Sequence, residues 1–441
     1  MAKVAFIGAG GAPLTRALLA DLLGQPELAD LTLALHDPDH ERLETVEALA
    51  RWTAAQAGVT PKITAHTDQR PALDGADYVV NTTEVGGHEA AALDYRLPAS
   101  YGVRQTHADT LGVGGVFRAL RAIPVIRELT EDMAQLCPDA WLLNHAAPLP
   151  MLTWAVSVLS PHTKVIGLSR AVPDTVDRLA RLAGVPADQV GFLAAGAGGQ
   201  SFVLRLEHAG TDLHPRLDEA LARSPELAHS VRVEMYRRLG HFPTADSQRS
   251  AEYVPWFLHD DEAIRTFRLR PGAALVAAER ELADYRQTRS VLFGGEVVPL
   301  PAQQNPGAPT EFATRFVHAM QTGRPRALYG LVRNTGLIGN LPEDACVEVP
   351  CLVDGSGAHP MPVGGVPPQL AALNRAVLSV CELTVLAAVE GRRDHVHHAL
   401  LADPNTAATL SPRDIHRLCD AMISAHGALM PDWVRAPGWL C

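Results

Sequence analysis

The segment Val4-Ala5-Phe6-Ile7-Gly8-Ala9-Gly10-Gly11-Ala12-Pro13 decides how this chain is read. Four apolar residues describe a buried strand, and the glycines after them permit a tight turn into a helix. The open N–H groups and dipole at such a helix start favour an anion, such as a pyrophosphate. Pro13 stands where the third glycine of G-x-G-x-x-G would stand, so the dinucleotide-binding match is partial. Asp37 adds a second element, because it ends the next strand-like run, Leu31–His36, where an acid binds a ribose hydroxyl of NAD. No arginine adjoins it to favour a 2′-phosphate, the nearest being Arg42, so NAD is expected over NADP.

The pattern repeats outward from there. Lys62–Ala65, Tyr78-Val79-Val80, Trp141-Leu142-Leu143 and Lys164-Val165-Ile166 read as strands, while Leu14–Leu23, Glu41–Ala57 and Val116–Leu136 carry helical periodicity. Such alternation builds βαβ units and a parallel sheet. The run Val80-Asn81-Thr82-Thr83-Glu84-Val85-Gly86-Gly87 brings another glycine pair to the same side. Asn81, Val85 and Gly86 thus join Gly8, Gly10, Gly11 and Asp37 as expected cofactor contacts.

From about Gly191 a strand pair opens a helix-rich region punctuated by Pro255, Pro271, Pro299, Pro301, Pro306 and Pro309. Strand-like pieces return over Ala327–Val353, and helices over Leu370–Glu390 and Pro412–Met430. The expected fold is α/β, a Rossmann-type parallel sheet with a second, α+β, helix-rich C-terminal lobe. Residues 1–190 are assigned to cofactor binding and 191–441 to substrate binding and oligomerisation. The carboxyl ends of the strands would face a cleft between the two.

Composition excludes other classes. With 47% hydrophobic and 20% charged residues, the 441-residue chain is neither disordered nor fibrous. A net charge of −11 without a basic run gives no footprint for nucleic acid. Among the basic residues only Lys3, Lys62 and Lys164 are lysines, each opening an expected strand, so a Schiff-base lysine is not expected. The arginines read as binders of anions and fixed charge. Cysteines 137, 346, 351, 381, 419 and 441 form no C-x-x-C pair, and the N-terminus enters a strand without a charged leader or a bilayer-spanning apolar run. A cytoplasmic protein without a membrane partner is expected.

Ordered blocks along the chain carry a more specific signal: Ala108-Asp109-Thr110-Leu111-Gly112-Val113-Gly114-Gly115 with Arg118-Ala119-Leu120-Arg121, Ala251-Glu252-Tyr253-Val254-Pro255-Trp256-Phe257, Val332-Arg333-Asn334 with Gly336-Leu337-Ile338, Asn340-Leu341-Pro342, Val347-Glu348-Val349 with Leu352-Val353-Asp354, and Asp403-Pro404-Asn405-Thr406-Ala407-Ala408. Through these blocks the sequence closely resembles the NAD-dependent family 4 glycoside hydrolases, above all their α-galactosidase-like members. The resemblance implies hydride removal from sugar C3, deprotonation at C2 and elimination of the glycosidic bond, on an α-galactoside or a related hexoside or hexuronide. It also implies a homodimer or homotetramer, and a divalent metal, usually manganese, on a Cys and a His.

At the metal the sequence departs from its relatives. The family's Cys position holds Ser169, its His position holds Gly199, and the Asn before Pro148 is Ala147. These are poor ligands for a transition metal, so a metal-independent enzyme is expected. Arg170 is then the candidate to polarise the C3 oxygen. By the family's pattern Asp246 and Tyr253 are the candidate bases, and Asp109, His107, Asn144, Arg333 and Arg249 the substrate residues, Arg249 standing where relatives carry His and Arg333 with Asn334 having dimer stabilisation as the alternative role. His145 is placed at the cofactor edge, and His395, His397 and His398 on a solvated helix face. Two other outcomes fit the missing ligands: an NAD-dependent sugar oxidoreductase without glycoside cleavage, and a catalytically silent NAD- or sugar-binding homologue.

Overall fold

The structure, a computed structural model, describes residues 2–294 and 311–436. Pro299, Pro301, Pro306, Pro309 and Cys441 lie outside the described residues. Six parallel strands form the first half: β1 (Lys3–Ile7), β2 (Thr32–His36), β3 (Lys62–His66), β4 (Tyr78–Asn81), β5 (Trp141–Asn144) and β6 (Lys164–Leu168). Their spatial order, β3-β2-β1-β4-β5-β6, is that of a doubly wound dinucleotide-binding sheet. Helices cover both faces, which is why β1, β2 and β4 are almost continuously buried and read as apolar runs without alternation. Lys3, Lys62 and Lys164 each start a strand at the far end from the carboxyl edge.

The second half continues the same sheet. It adds β7 (Val190–Ala197), β8 (Gln200–His208), β9 (Thr211–Asp212), β10 (Phe242–Pro243), β11 (Arg326–Arg333), β12 (Cys346–Asp354) and β13 (Gly357–Pro360). The complete path is β10-β8-β7-β12-β11-β6-β5-β4-β1-β2-β3, with β9 on β8 and β13 on β12. β11 joins β6 antiparallel through Gly330↔Leu168 and Leu331↔Gly167. A side chain at Gly330 would run into the buried Ile166 side chain, which would have to shift to admit it. The hairpin β11–β12 is thereby inserted between β6 and β7, although it follows them by more than a hundred residues in sequence. The expected division after residue 190 falls at the start of β7, where the sheet continues unbroken.

Three local devices aim the functional loops. The loop Ala108–Thr110 is pressed onto the start of helix Gly112–Leu136, where Cβ atoms on Gly114 and Gly115 would come 2.5 Å from Ala108 O and Thr110 C respectively. Glu252 holds the same loop from the other side, its Oε1 accepting N–H bonds from His107 (2.8 Å) and Ala108 (3.2 Å) as well as from Thr106. Asp403 spans two helix starts, accepting from Gly112 N at 3.1 Å and from Thr406 N at 2.8 Å.

By length and composition, helix Pro368–Glu390 could cross a membrane. Here it packs against helices Gly112–Leu136, Leu149–Leu159 and Arg393–Ala402, with Val377, Val380 and Cys381 buried.

Candidate active site

At the nucleotide end, Gly8 leaves β1 with φ +76°, and a Cβ there would stand 2.7 Å from Thr83 Cα. Glycine is therefore needed for the turn to pass β4. The turn leads into helix Ala12–Leu23, whose N-cap, Gly11, offers no capping side chain. Asp37 is buried and turned onto the glycine loop, with Oδ2 accepting from Gly10 N (2.8 Å) and Oδ1 from Asp39 N (3.0 Å). It anchors the loop at the place expected for a ribose acceptor. Gly86 takes φ +86° as N-cap of helix Gly87–Ser100, and Val85 O accepts from Arg121 Nε at 3.3 Å. The structure therefore gives Val85 and Gly86 framework contacts beside the buried Arg121–Asp94 ion pair.

Asn81 and Asn144 end neighbouring strands in register, and Asn81 Nδ2 donates to Asn144 Oδ1 at 2.9 Å. Asn144 is fully buried. The expectation that it touches substrate is corrected, since it ties β4 to β5 and caps the loop leaving β5 through Ala146 N (3.2 Å).

Beyond the carboxyl ends of β5 and β6 lies a cavity of about 580 Å³, bounded on its other sides by the β7–β8 turn and residues 244–253. Asp109, Tyr253, Arg249 and Asp246 line it. Arg249 grips both oxygens of Asp109, with Nη2 to Oδ2 at 2.7 Å, and reaches Thr110 Oγ1 at 3.1 Å. Burial alone would raise the Asp109 pKa, but the guanidinium outweighs it and holds the carboxyl well below the usual carboxylate range. Asp246 caps helix Ser247–Glu252 through Oδ1, while Oδ2 faces Arg249 Nε at 3.6 Å and His107 Nε2 at 3.7 Å. Against partial burial, His107, the helix N–H groups and Arg249 bring its pKa down to about 2. Tyr253 is 2% exposed, and burial pushes its phenol far above the ordinary value against the pull of Arg249. His145 also lines the cavity with no partner on Nε2, and burial lowers it to about 4, so the ring is neutral.

The donors present do not make a transition-metal site. Ser169 Oγ accepts from Ala171 N at 3.2 Å at the start of helix Ala171–Ala183, and Gly199 and Ala147 offer no side-chain donor. Gly199 has φ +86°, and a Cβ there would lie 3.1 Å from the Tyr253 hydroxyl, so a longer side chain is doubly disfavoured. Among the described residues His145 is the one imidazole or thiol on the cavity wall, and the carboxylates Asp109 and Asp246 there are engaged by Arg249 and a helix start.

Arg170 and Arg333, expected at the sugar, both lie off the cavity, which leaves Arg333 its alternative place at a dimer contact. Arg170 is exposed and turned away from the cavity, ion-paired to Glu311 at 2.6 Å and Asp174 at 3.5 Å. Its neighbours on the helix face the cavity; it does not. Arg333 is exposed on β11 and paired with Asp344 at 2.6 Å, while the adjacent buried Asn334 organises its own loop through Ile338 and Pro342. His397 and His395 pair with Asp420 and Glu390 on helix Arg393–Ala402. Asp394, His395 and His398 approach one another there, but Arg392 holds the Asp394 carboxylate at two points.

Sequence reasoning missed Glu252 as the anchor of the Asp109 loop, and missed Arg178, Arg181 and Arg232 on the cavity wall. Glu252 lay inside a quoted block. The three arginines lay in ordinary helical stretches with no motif.

Fold and cavity together define an α/β enzyme that places a pocket with charged side chains beyond the carboxyl edge of a dinucleotide-binding sheet. Residues 3–185 match the family 4 glycosyl hydrolases and residues 199–406 the family's C-terminal domain. An alpha-galactosidase of Bacillus subtilis (strain 168) is 33% identical over 98% of this chain and 100% of its own length. An alpha-galactosidase of Rhizobium meliloti (strain 1021) is 29% identical over 98% and 90% respectively. A 6-phospho-alpha-glucosidase from gut microorganisms, solved with NAD and Mn²⁺, superposes with a TM-score of 0.84 at 20% identity, covering 98% of this chain and 99% of that one. The chain belongs to family 4 of the glycosyl hydrolases.

Proposed function

We propose that this chain cleaves an α-galactoside, or a related hexoside or hexuronide, by C3 oxidation, C2 deprotonation and elimination, without a bound metal ion. NAD, when bound, supplies the hydride acceptor for C3 and returns the hydride at the end. Gly8, Gly10 and Gly11 with the helix start would hold its pyrophosphate, and Asp37 its ribose. The start of helix Ala12–Leu23, which Gly11 leaves without a side-chain cap, supports this. Asn81 and Asn144 keep the β4 and β5 ends in place, with Val85 and Gly86 framing the same edge.

Asp246 is the assigned base at the C2 proton, because its ionised carboxylate lines the cavity with one oxygen, Oδ2, turned to Arg249 and His107 and not used in capping the helix. Tyr253 stays a neutral phenol and can donate a hydrogen bond but not accept the proton first. Arg249 supplies fixed positive charge toward an oxyanion, with Asp109 orienting its guanidinium. His107 positions Asp246. The single observation that carries this reading is the convergence of Asp109, Arg249, Asp246 and Tyr253 on one cavity in which Ser169 and Gly199 replace the family's metal-binding Cys and His.

The test uses an aryl α-galactoside with NAD in D₂O. Deuterium at C2 of the product, with aglycone release and no net NADH, is expected, and Asp246→Asn should abolish deuterium uptake. Loss of the metal donors at Ser169 and Gly199 also favours a second reading, an oxidoreductase without cleavage, which would accumulate NADH. A melting temperature raised by NAD without any turnover would instead mark a silent homologue.

The homodimer or homotetramer remains part of this proposal. Leu352 and Met361, 39% and 48% exposed beside the β12–β13 hairpin, support it, and light scattering tests it. A cytoplasmic location rests on five described cysteines that are all buried and free.

A further inference from the structure

Arg232 lies in helix Val231–Leu239 with 6% of its surface exposed, yet it lines the cavity. Its partners are all neutral. Nε donates to Pro243 O at 3.2 Å, Nη2 to Thr175 Oγ1 at 2.5 Å, and the guanidinium lies 4.9 Å from the centre of the Phe242 ring. Among the described residues no carboxylate comes within ion-pair distance of it. A buried cation without a counter-ion is costly, and an arriving anion would offset that cost. Burial, then the nearby Arg178, lower its pKa to about 10, and the more distant Asp246 carboxylate offsets this only in part.

Two more guanidiniums lie on the same wall. Thr175, which accepts from Arg232, precedes Arg178 by one helical turn on helix Ala171–Ala183, and Arg181 follows one turn later. Arg178 and Arg181 both line the cavity and form no ion pair among the described residues. The carboxylates on the wall are otherwise engaged. Asp109 is held by Arg249, Asp246 by its helix start, and Asp174 is within 3.5 Å of Arg170.

We propose that Arg232, Arg178 and Arg181 form an anion subsite, so that the ligand of this cavity carries a carboxylate or phosphate group. This deepens the sugar-site reading above and rests on it for the sugar part alone. Guanidinium forks suit either anion, and the shared chemistry is a negatively charged oxygen group held by planar donors.

Calorimetric titration of the full chain with D-galactose, D-galacturonate, D-galactose 6-phosphate and inorganic phosphate tests it without requiring turnover. At least one anionic sugar should bind about tenfold more tightly than galactose, the scale of one charged hydrogen bond. The preference between galacturonate and galactose 6-phosphate identifies the anion. Because Arg232 also braces Thr175 and Pro243, the diagnostic variant is R178S/R181S, which alters exposed residues and should erase the preference while leaving the melting temperature within a few degrees. Equal binding of galactose and both anionic sugars, or a preference that survives in R178S/R181S, would overturn the proposal. Inorganic phosphate that binds the wild type and not R178S/R181S, with no sugar binding, would uphold the anion subsite and remove the sugar reading.

Discussion

Arg249 clamps Asp109 at two points across the cavity floor, Nη2 to Oδ2 at 2.7 Å with Nη1 on the other oxygen. The Asp109 side chain is only 17% exposed, so it depends on that partner. Arg249→Ala should destabilise the protein by about 2–3 kcal/mol, below the 3–5 kcal/mol of a fully buried pair because Arg249 is itself 31% exposed. Arg249→Lys, which keeps the charge but loses the fork, should fall between. Urea unfolding measures both, and an Arg249→Ala midpoint equal to wild type would contradict the clamp.

Arg170→Ala should leave turnover within twofold of wild type. The side chain is 52% exposed, but its partner Glu311 is only 11% exposed, so its removal should cost about 1–2 kcal/mol of stability while leaving the cavity intact. A large fall in kcat with KM unchanged would return Arg170 to the mechanism.

Manganese or a chelator should change neither the melting temperature nor the rate, since His145 is the one imidazole on the cavity wall among the described residues and the carboxylates there are engaged by Arg249, a helix start and Arg170. Gly199→Ala should cost about 1–2 kcal/mol from its left-handed backbone, before any contact with Tyr253. A manganese-dependent rise in melting temperature at micromolar concentration would refute the first statement, and a neutral Gly199→Ala the second.

Glu348 predicts a pH dependence. It is 2% exposed on β12, with Ser201 Oγ donating to Oε2 at 2.5 Å and no partner on Oε1. Burial pushes its pKa up from 4.5 to about 7. A raised folded-state pKa means that its contribution is full below pH 4.5, declines as pH rises toward 7 and is lost above. Glu348→Gln should therefore match wild type near pH 4.5 and exceed its stability at pH 8 by about 3 kcal/mol. Asp109 and Asp246 act oppositely, losing their contribution as pH falls below 3.8. Denaturation midpoints of both proteins across this range decide the matter, and parallel curves would exclude Glu348 as the cause.

The six parallel strands, the glycine turn and the acid ending β2 were legible in the sequence, because each depends on a few adjacent residues. A strand buried on both faces must be apolar throughout, and a turn that passes within van der Waals contact of another strand must be glycine. The blocks around Asp109 and Glu252 were legible as well, though not the reason for them: Glu252 holds the backbone of the loop that carries Asp109, across more than a hundred residues of sequence.

The sequence by itself determined the dinucleotide-type sheet, the family and the missing metal donors. Only the tertiary structure decided which arginines face the cavity. Arg170, beside a vacated ligand position, turns outward to Glu311, while Arg249 turns inward to Asp109 and Arg232 reaches the wall from a helix with no motif. The physical reason is that a guanidinium on a long flexible stem goes to whichever carboxylate or carbonyl the packing of distant segments brings within reach. Those partners, Glu311, Asp109 and Pro243, lie 141, 140 and 11 residues away along the chain.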